Sequence, residues 1–260
     1  MPVKLARILP VGLIVLGLSA CGGGTRLIKN APPPPQQVSA LAAASDDALS
    51  AQLQWVIVRD GPGTWAQNAD WDEYLIEVRN VSAAPIQVTG VVLFDSMDQP
   101  NSISASRTAL VDASRKNAKR YKDSGLRVAA GRGRGLALVA GGAGATTLGM
   151  GAAYATLMGA GSGAAAAASG LILAGPAMVT MAIVRGVRKG AVTKRIKERS
   201  SVFPIALEAG QTQALDVFFP LAPAPRRIEI HYTDAKGTHM LSTDTSKALD
   251  GLHLEGQPQK

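Results

Sequence analysis

Three histidines, His231, His239 and His253, lie near the carboxyl terminus and are the first candidates for acid-base or metal chemistry. Alternation along a strand would place His231 and Glu229 on one face, an arrangement that metal sites and acid-base pairs use. Two ligands are too few to hold a metal, and no serine lies in the Gly-x-Ser-x-Gly pattern of hydrolases. We therefore expect an ordinary pair of surface polar side chains, no catalytic residue and no enzymatic activity.

Acidic residues and cysteine offer little more chemistry. Asp70, Asp72 and Glu73 are close enough in sequence to hold a calcium ion loosely, but they lack the glycine and the ligand spacing of an EF-hand loop. The single cysteine, Cys21, excludes intramolecular disulfides and four-cysteine zinc sites. We expect neither a metal ion nor another cofactor.

Tryptophan is concentrated in one short region. Trp55, Trp65 and Trp71 all fall within 17 residues. An exposed tryptophan pair could form a platform for a glycan or a peptide, because the indole combines a large apolar face with a polar N–H group. The interpretation that we favour instead packs Trp55 in the core and uses the other two to hold a long loop. Trp65 and Trp71 are the better candidates for exposure.

The elements that would position these residues are predominantly strands. In residues 74–81, Ile76 and Val78 alternate with Glu77 and Arg79, as expected of a strand with one solvated face. Six more short stretches show β-branched or aromatic enrichment between turn signals. All seven are residues 52–59, 74–81, 86–94, 201–207, 211–219, 226–232 and 238–241.

This pattern predicts a mainly β protein with a helical insert. Seven short strands without intervening helical crossovers favour an immunoglobulin-like antiparallel β-sandwich, with a barrel as the open alternative. Its first half would span residues 51–102 and its second half residues 201–245. Residues 246–260 would form a polar tail.

The insert, residues 103–200, contains an apolar run between two basic regions. Residues 135–184 contain no charged side chain and are long enough for two helical spans, 136–158 and 164–184, joined by a glycine-rich bend. Small residues recur every four positions, which allows close helix packing. These residues are Gly141, Ala145, Gly149 and Ala153 in the first span and Ala166, Gly170 and Ala174 in the second.

The apolar run resembles the glycine-zipper stretches of bacterial envelope proteins. The resemblance implies a hairpin that inserts in a membrane or self-associates. Five glycines dilute the hydrophobicity of the first span, so insertion is close to neutral in free energy. A hairpin packed against its own protein or a partner is the alternative.

Positive charge surrounds the apolar run. Nine Lys and Arg residues lie in 107–134 and seven in 185–199, and with three opposing carboxylates this region carries a net charge of +13. Cationic side chains beside a hairpin would bind anionic headgroups. Nucleic acid is the competing partner for clustered cations, but an exported chain seldom meets it, so we expect none. The basic residues predicted at the membrane surface are Arg127, Arg132, Arg134, Arg185, Arg188 and Lys189.

One helix is predicted inside this basic region. In residues 106–124, Leu110, Val111, Ala118 and Tyr121 are spaced to share a face. Gly125 would end the helix.

The amino terminus has the layout of an export signal. Lys4 and Arg7 precede a short apolar run and small residues. Leu18-Ser19-Ala20-Cys21 resembles the lipobox of bacterial lipoproteins, which implies removal of residues 1–20 and lipidation of Cys21. Gly22 follows the cysteine where an aspartate would favour inner-membrane retention, so the resemblance implies the outer membrane. Residues 21–50, with four consecutive prolines, would form a tether.

Together these features predict a lipoprotein of the bacterial outer membrane that faces the periplasm. Its expected role is structural or scaffolding, with membrane lipids and either further copies of itself or an envelope complex as partners. The alternative is an envelope binding module that recognises a glycan or a peptide through loops near Trp65 and Trp71.

Overall fold

The computed structural model describes residues 25–29, 39–131 and 189–255. The signal segment, Cys21, the predicted hairpin and its seven helix-packing residues lie outside the described residues. So do Arg132, Arg134, Arg185 and Arg188. We call residues 132–188 the central segment. None of the helices in the described ranges is long and apolar enough to cross a membrane.

The described chain is mainly β, with two helices, and the seven predicted strands are confirmed. All strand pairs are antiparallel. The strands are β1 (Arg26–Leu27), β2 (Ala42–Ser45), β3 (Leu49–Ile57), β4 (Ala66–Gln67), β5 (Trp71–Asn80), β6 (Ile86–Phe94), β7 (Pro100–Ser102), β8 (Ile205–Leu207), β9 (Thr212–Pro220), β10 (Arg227–Asp234) and β11 (Gly237–Asp244). The helices are α1 (Arg107–Asp123) and α2 (Lys189–Arg199).

Each of the two larger sheets combines strands from before and after the central segment. The first sheet has the order β2-β3-β5-β9, and the second has the order β11-β10-β6-β7, with β8 also paired to β6. The β5–β9 and β6–β10 pairs therefore join the two halves of the chain. A two-stranded ribbon of β1 and β4 completes the strand pairing.

The inner faces of both larger sheets contribute to one hydrophobic core. Leu53 and Ile76 of the first sheet and Leu93 and Ile230 of the second are all buried members of this cluster. On β5, Ile76 and Val78 are buried whereas Glu77 and Arg79 are not, as their alternation predicted. Period-2 patterning therefore identifies the core face of this half of the strand.

A second apolar cluster lies under the two helices. Leu110 and Val111 of α1 and Val192 and Ile196 of α2 are buried with Trp65, Trp71 and Phe218. The amino-terminal part of β5, Trp71–Tyr74, is consequently buried at every position. Helices cover this end of the strand on the face that its other end leaves to solvent.

Helix α1 confirms the predicted amphipathic helix. The Ser106 hydroxyl accepts a hydrogen bond from the Ala109 amide at 3.4 Å and caps its first turn. Leu110, Val111 and Tyr121 are buried and Ala118 is half-buried, so the predicted residues share the inward face. Gly125 follows the helix with a φ of +80°, which a glycine adopts without a Cβ clash.

The predicted tether is partly wrong, because described residues within 21–50 form strands. β1 pairs with β4, and β2 pairs with β3 across a tight turn. In that turn a carboxylate oxygen of Asp46 accepts hydrogen bonds from the Ala48 and Leu49 amides, at 2.9 and 2.7 Å. Alanine and serine side chains carry little hydrophobic signal, so the sequence pattern does not predict β2. The sheet begins before residue 51.

The predicted polar tail is also wrong over its described part. Leu249, Leu252 and His253 are completely buried. The two leucines belong to the main core. We call residues 249–255 the C-terminal strap. Their apolar residues are too few and too irregularly spaced to reveal strand or helix periodicity, which is why the sequence pattern missed them.

Candidate functional site

The candidate site is built around two consecutive acidic residues of β5. Asp72 and Glu73 are 1% and 2% exposed. Successive side chains of a strand point to opposite faces, so these two carboxylates enter different surroundings. Each one binds the chain near one end of the central segment.

Asp72 contacts the entry side of the central segment through His253. Nε2 of His253 lies 2.6 Å from Oδ2 of Asp72. Nδ1 accepts a hydrogen bond from the Gly131 amide at 3.1 Å, so the ring proton is on Nε2 and the imidazole is neutral. Gly131 is the last described residue before the central segment.

The C-terminal strap also pairs with the backbone that leads to Gly131. The Ala129 amide donates to the His253 carbonyl at 2.9 Å, and the Glu255 amide donates to the Arg127 carbonyl at 3.1 Å. We call residues 127–131 the entry arm. The strap therefore holds the entry arm by a short antiparallel pairing as well as by the histidine.

Glu73 contacts the return side of the central segment through Arg199, the last residue of α2. The Arg199 Nε donates to Oε1 of Glu73 at 2.7 Å, and Nη2 bonds the same oxygen. Oε2 accepts a hydrogen bond from the Trp65 indole at 2.6 Å. Both carboxylate oxygens are therefore engaged, as a buried charge requires.

Asp216 of β9 adds a second carboxylate to the same guanidinium. Its Oδ2 lies 3.3 Å from Arg199 Nη2, whereas Oδ1 is buried without a hydrogen-bond partner. Burial, together with the negative charge of Glu73, raises the pKa of Asp216 to about 8. One arginine thus serves two buried carboxylates, one of which holds a proton at neutral pH.

Both flanks of the central segment are consequently fixed to neighbouring residues of a single strand. The arrangement positions backbone and buries charge. Each carboxylate bonds a histidine, arginine or indole group, while Oδ1 of Asp72 and Oδ1 of Asp216 are buried without a hydrogen-bond partner. The described ranges contain no group of three or more His, Cys, Asp or Glu side chains that could hold a metal ion.

No protein-family model, curated protein or solved structure matches this chain.

The tryptophan prediction is wrong in its assignment of exposure. Trp65 and Trp71 are 8% and 3% exposed, with ring centroids 6.5 Å apart, whereas Trp55 is half-buried. The register of β3 against β5 shifts between Leu53 and Trp55, so an extra residue turns Trp55 away from the core. Trp65, in the segment before β5, packs against Trp71 and Phe218, which agrees with the loop contact of the favoured interpretation. Neither presents an open aromatic platform.

The other candidate residues have ordinary partners. His231 Nε2 lies 3.9 Å from Oε2 of Glu229, and the other oxygen of that glutamate accepts a hydrogen bond from Arg227. Asp70 is paired with Arg59, away from Asp72 and Glu73. The three acidic residues considered for calcium therefore have separate partners.

Of the predicted basic residues, only two are described. Arg127 is 84% exposed at its side chain and lies 3.6 Å from a carboxylate oxygen of Glu255. Lys189 begins α2.

A cavity of about 500 Å³ lies between α1 and the entry arm. Its lining includes Arg59, Asp70, Ser114 and Val128. The Ser114 hydroxyl lies 2.6 Å from the Asp70 carbonyl oxygen and 2.8 Å from that of Leu110, which share its one proton, and it accepts from the Leu221 amide. Arg59 is paired with Asp70. These polar groups are engaged by the protein itself, so they do not specify a ligand.

Sequence reasoning missed Asp72–His253 and Glu73–Arg199 as pairs. Their partners are separated by 181 and 126 residues. The only local signal was two adjacent acidic residues at the start of a strand that the helices later cover.

Proposed function

We propose that this protein is a lipid-anchored scaffold of the bacterial outer membrane, facing the periplasm. Cys21 would carry the lipid, and an immunoglobulin-like sandwich would hold the Gly- and Ala-rich central segment. That segment would insert in the membrane or associate with further copies of itself. The observation that carries the proposal is the attachment of both its flanks to Asp72 and Glu73 of one strand.

Two buried attachments restrict how the flanks move relative to the sheets. A lone linker would need neither the His253 contact nor a charged pair between α2 and β5. The burial of these pairs supports a role in holding the flanks in place, because removing one member would leave an uncompensated buried charge. The central segment supplies the apolar surface, and its small-residue repeat supplies a face for helix contact.

The glycan- or peptide-binding alternative loses its main support. It required an accessible aromatic surface at Trp65 and Trp71, and both side chains are buried with Phe218. The scaffold proposal needs no such surface.

Membrane extraction tests the role of the central segment. In cells that express the Cys21→Ser variant, we expect the full chain to remain in the membrane fraction after carbonate and high-salt washing. The matched control is Cys21→Ser combined with Gly149→Asp and Ala174→Asp, near the centres of the two spans, because a central aspartate costs about 3 kcal/mol of insertion free energy. Release of both proteins would contradict an embedded segment.

Self-association is tested separately. In detergent, crosslinking of the full chain should give oligomers that Gly149→Leu weakens, because a bulky side chain prevents close helix contact. Leu157→Ala is a control that leaves the small-residue repeat intact. Monomers under all conditions would contradict self-association and leave membrane insertion as the remaining role.

A further inference from the structure

The contact between His253 and Gly131 joins two residues with unusual backbone conformations. His253 has a φ of +62° and Gly131 a φ of +67°. A Cβ at position 131 would lie 2.1 Å from the Arg59 carbonyl oxygen, so only glycine fits there. Histidine at positive φ is uncommon, and such conformations concentrate at functional sites.

The hydrogen-bond pattern makes this contact depend on the charge of the imidazole. Nδ1 can accept from the Gly131 amide only while it carries no proton. If Nδ1 took up a proton from solvent, its N–H group would face the Gly131 N–H group, and two donors cannot form a hydrogen bond with each other. Asp72 would stabilise the resulting imidazolium through its contact with Nε2 at 2.6 Å. The hydrogen bond that is lost is therefore the one from the Gly131 amide.

We propose that His253 is an acid-sensitive latch: when Nδ1 gains a proton, the Gly131 contact breaks and the entry arm loosens from the C-terminal strap. Histidine is the side chain suited to this role because its charge changes in the range between about pH 5 and 8. The latch goes beyond the scaffold role and does not require membrane insertion, so either can fail without the other.

Asp72 contacts the imidazole directly, and the other charged groups on the neighbouring elements have partners of their own. Arg59, just after β3, is paired with Asp70, and Arg127 of the entry arm is near Glu255 of the strap. Tyr74 lies on the same face of β5 as Asp72, and burial raises the pKa of its hydroxyl, so it stays neutral. The acid response is therefore assigned to His253 and Asp72.

Hydrogen exchange of the full chain in detergent, measured from about pH 8 to about pH 5 and corrected for intrinsic rates, tests the latch. We expect protection of residues 129–131 to fall about tenfold on acidification, the scale of one lost hydrogen bond. Residues 228–230 of β10 should keep their protection and serve as the internal control. Unchanged protection at 129–131 would overturn the proposal.

Two variants test whether the loss of protection comes from protonation of His253 or from a general effect of acid on the fold. His253→Asn tolerates positive φ and offers an acceptor that takes no proton in this range, so the pH response should disappear. Asp72→Asn removes the charge that stabilises the cation, so the response should shift to lower pH. An identical response in wild type and His253→Asn would overturn the proposal.

Nitrogen-15 spectra of the wild-type protein report the protonation of each histidine ring nitrogen, so they test the latch even if a variant fails to fold. Variants of the two partly exposed residues, His231→Ala and His239→Ala, assign their signals. The remaining signal should show a proton on Nε2 alone at about pH 8 and a second proton on Nδ1 near pH 5. A ring that stays neutral throughout would exclude the latch.

Discussion

At the scale of single residues, the strand alternation of β5 separates two adjacent carboxylates into unlike environments. Asp72 faces His253 and Glu73 faces Arg199. A one-residue shift of β5 would exchange those environments and leave both partners unmatched. The register of this strand therefore determines which flank of the central segment each acidic residue binds.

The protonated state of Asp216 predicts a pH-dependent stability. Its folded pKa is about 8 against an ordinary value of 3.8, so between these values the folded protein binds a proton that the unfolded chain does not. The free energy of unfolding should therefore fall as pH rises through this window, by at most about 1.4 kcal/mol per pH unit from this group.

Asp216→Asn should flatten that slope, because an amide resembles the protonated carboxyl and does not ionise. Urea unfolding at about pH 5, 6.5 and 8 measures the effect. Asp234→Asn is a control at a carboxylate whose pKa is lowered by its hydrogen bonds with His239, Lys236 and Gly237. A slope in Asp216→Asn equal to that of wild type would show that Asp216 is not protonated in the folded protein.

Trp65→Phe should destabilise the protein by about 1–3 kcal/mol, because it removes the indole donor from a buried carboxylate oxygen of Glu73. Trp55→Phe removes a half-buried indole that has no role at Glu73 and should have the smaller effect. The measurement is the urea midpoint of each variant at neutral pH. Equal losses would argue against a special role for the Glu73 hydrogen bond.

At the scale of elements, short segments outside the predicted strands complete the first sheet and the core. β2 extends the first sheet, and the C-terminal strap supplies two core leucines and the partner of Asp72. Helices α1 and α2 bury Trp65 and Trp71, which strand patterning alone left open to solvent. The covering elements thus determine which side chains are accessible.

Truncation of the strap tests this assignment. A chain that ends at Thr245 loses Leu249 and Leu252, and removing a buried leucine side chain typically costs about 2–5 kcal/mol. We expect it to unfold at clearly lower urea concentration than a chain that ends at Glu255, which keeps the whole strap. Equal midpoints for the two chains would show that the strap contributes no stability.

At the scale of the whole molecule, the strand pairing joins two distant parts of the chain into one folded body, which consists of the described residues on both sides of the central segment. β5 pairs with β9 and β6 with β10 across the central segment. The described residues on both sides therefore share a core. This topology tolerates a long insertion, because closure entropy rises only slowly with loop length.

We accordingly predict that the body folds without the central segment. Replacing residues 132–188 by a Gly/Ser linker of about 20 residues, with a root-mean-square span of about 25 Å, should change the free energy of unfolding by only about 1 kcal/mol. Circular dichroism and urea unfolding of the linker variant check this. Loss of the strand signal would mean that the central segment contributes essential packing.

The sequence by itself determined the elements whose signals are local. Seven strands, the inward face of β5 at Ile76 and Val78, and helix α1 with Gly125 just after its end all follow from periodicity and turn chemistry within a few residues. These features need no knowledge of distant contacts.

Only the tertiary structure decided the burial of Trp65 and Trp71, the ordering of the C-terminal strap, and the partners of Asp72 and Glu73. Each depends on groups far apart in the chain: helices after residue 106 cover the two tryptophans, His253 of the strap is 181 residues from Asp72, and Arg199 is 126 residues from Glu73. The physical reason is that burial and pairing are set by what packs against a residue, whereas periodicity reports only which residues of one element share a face.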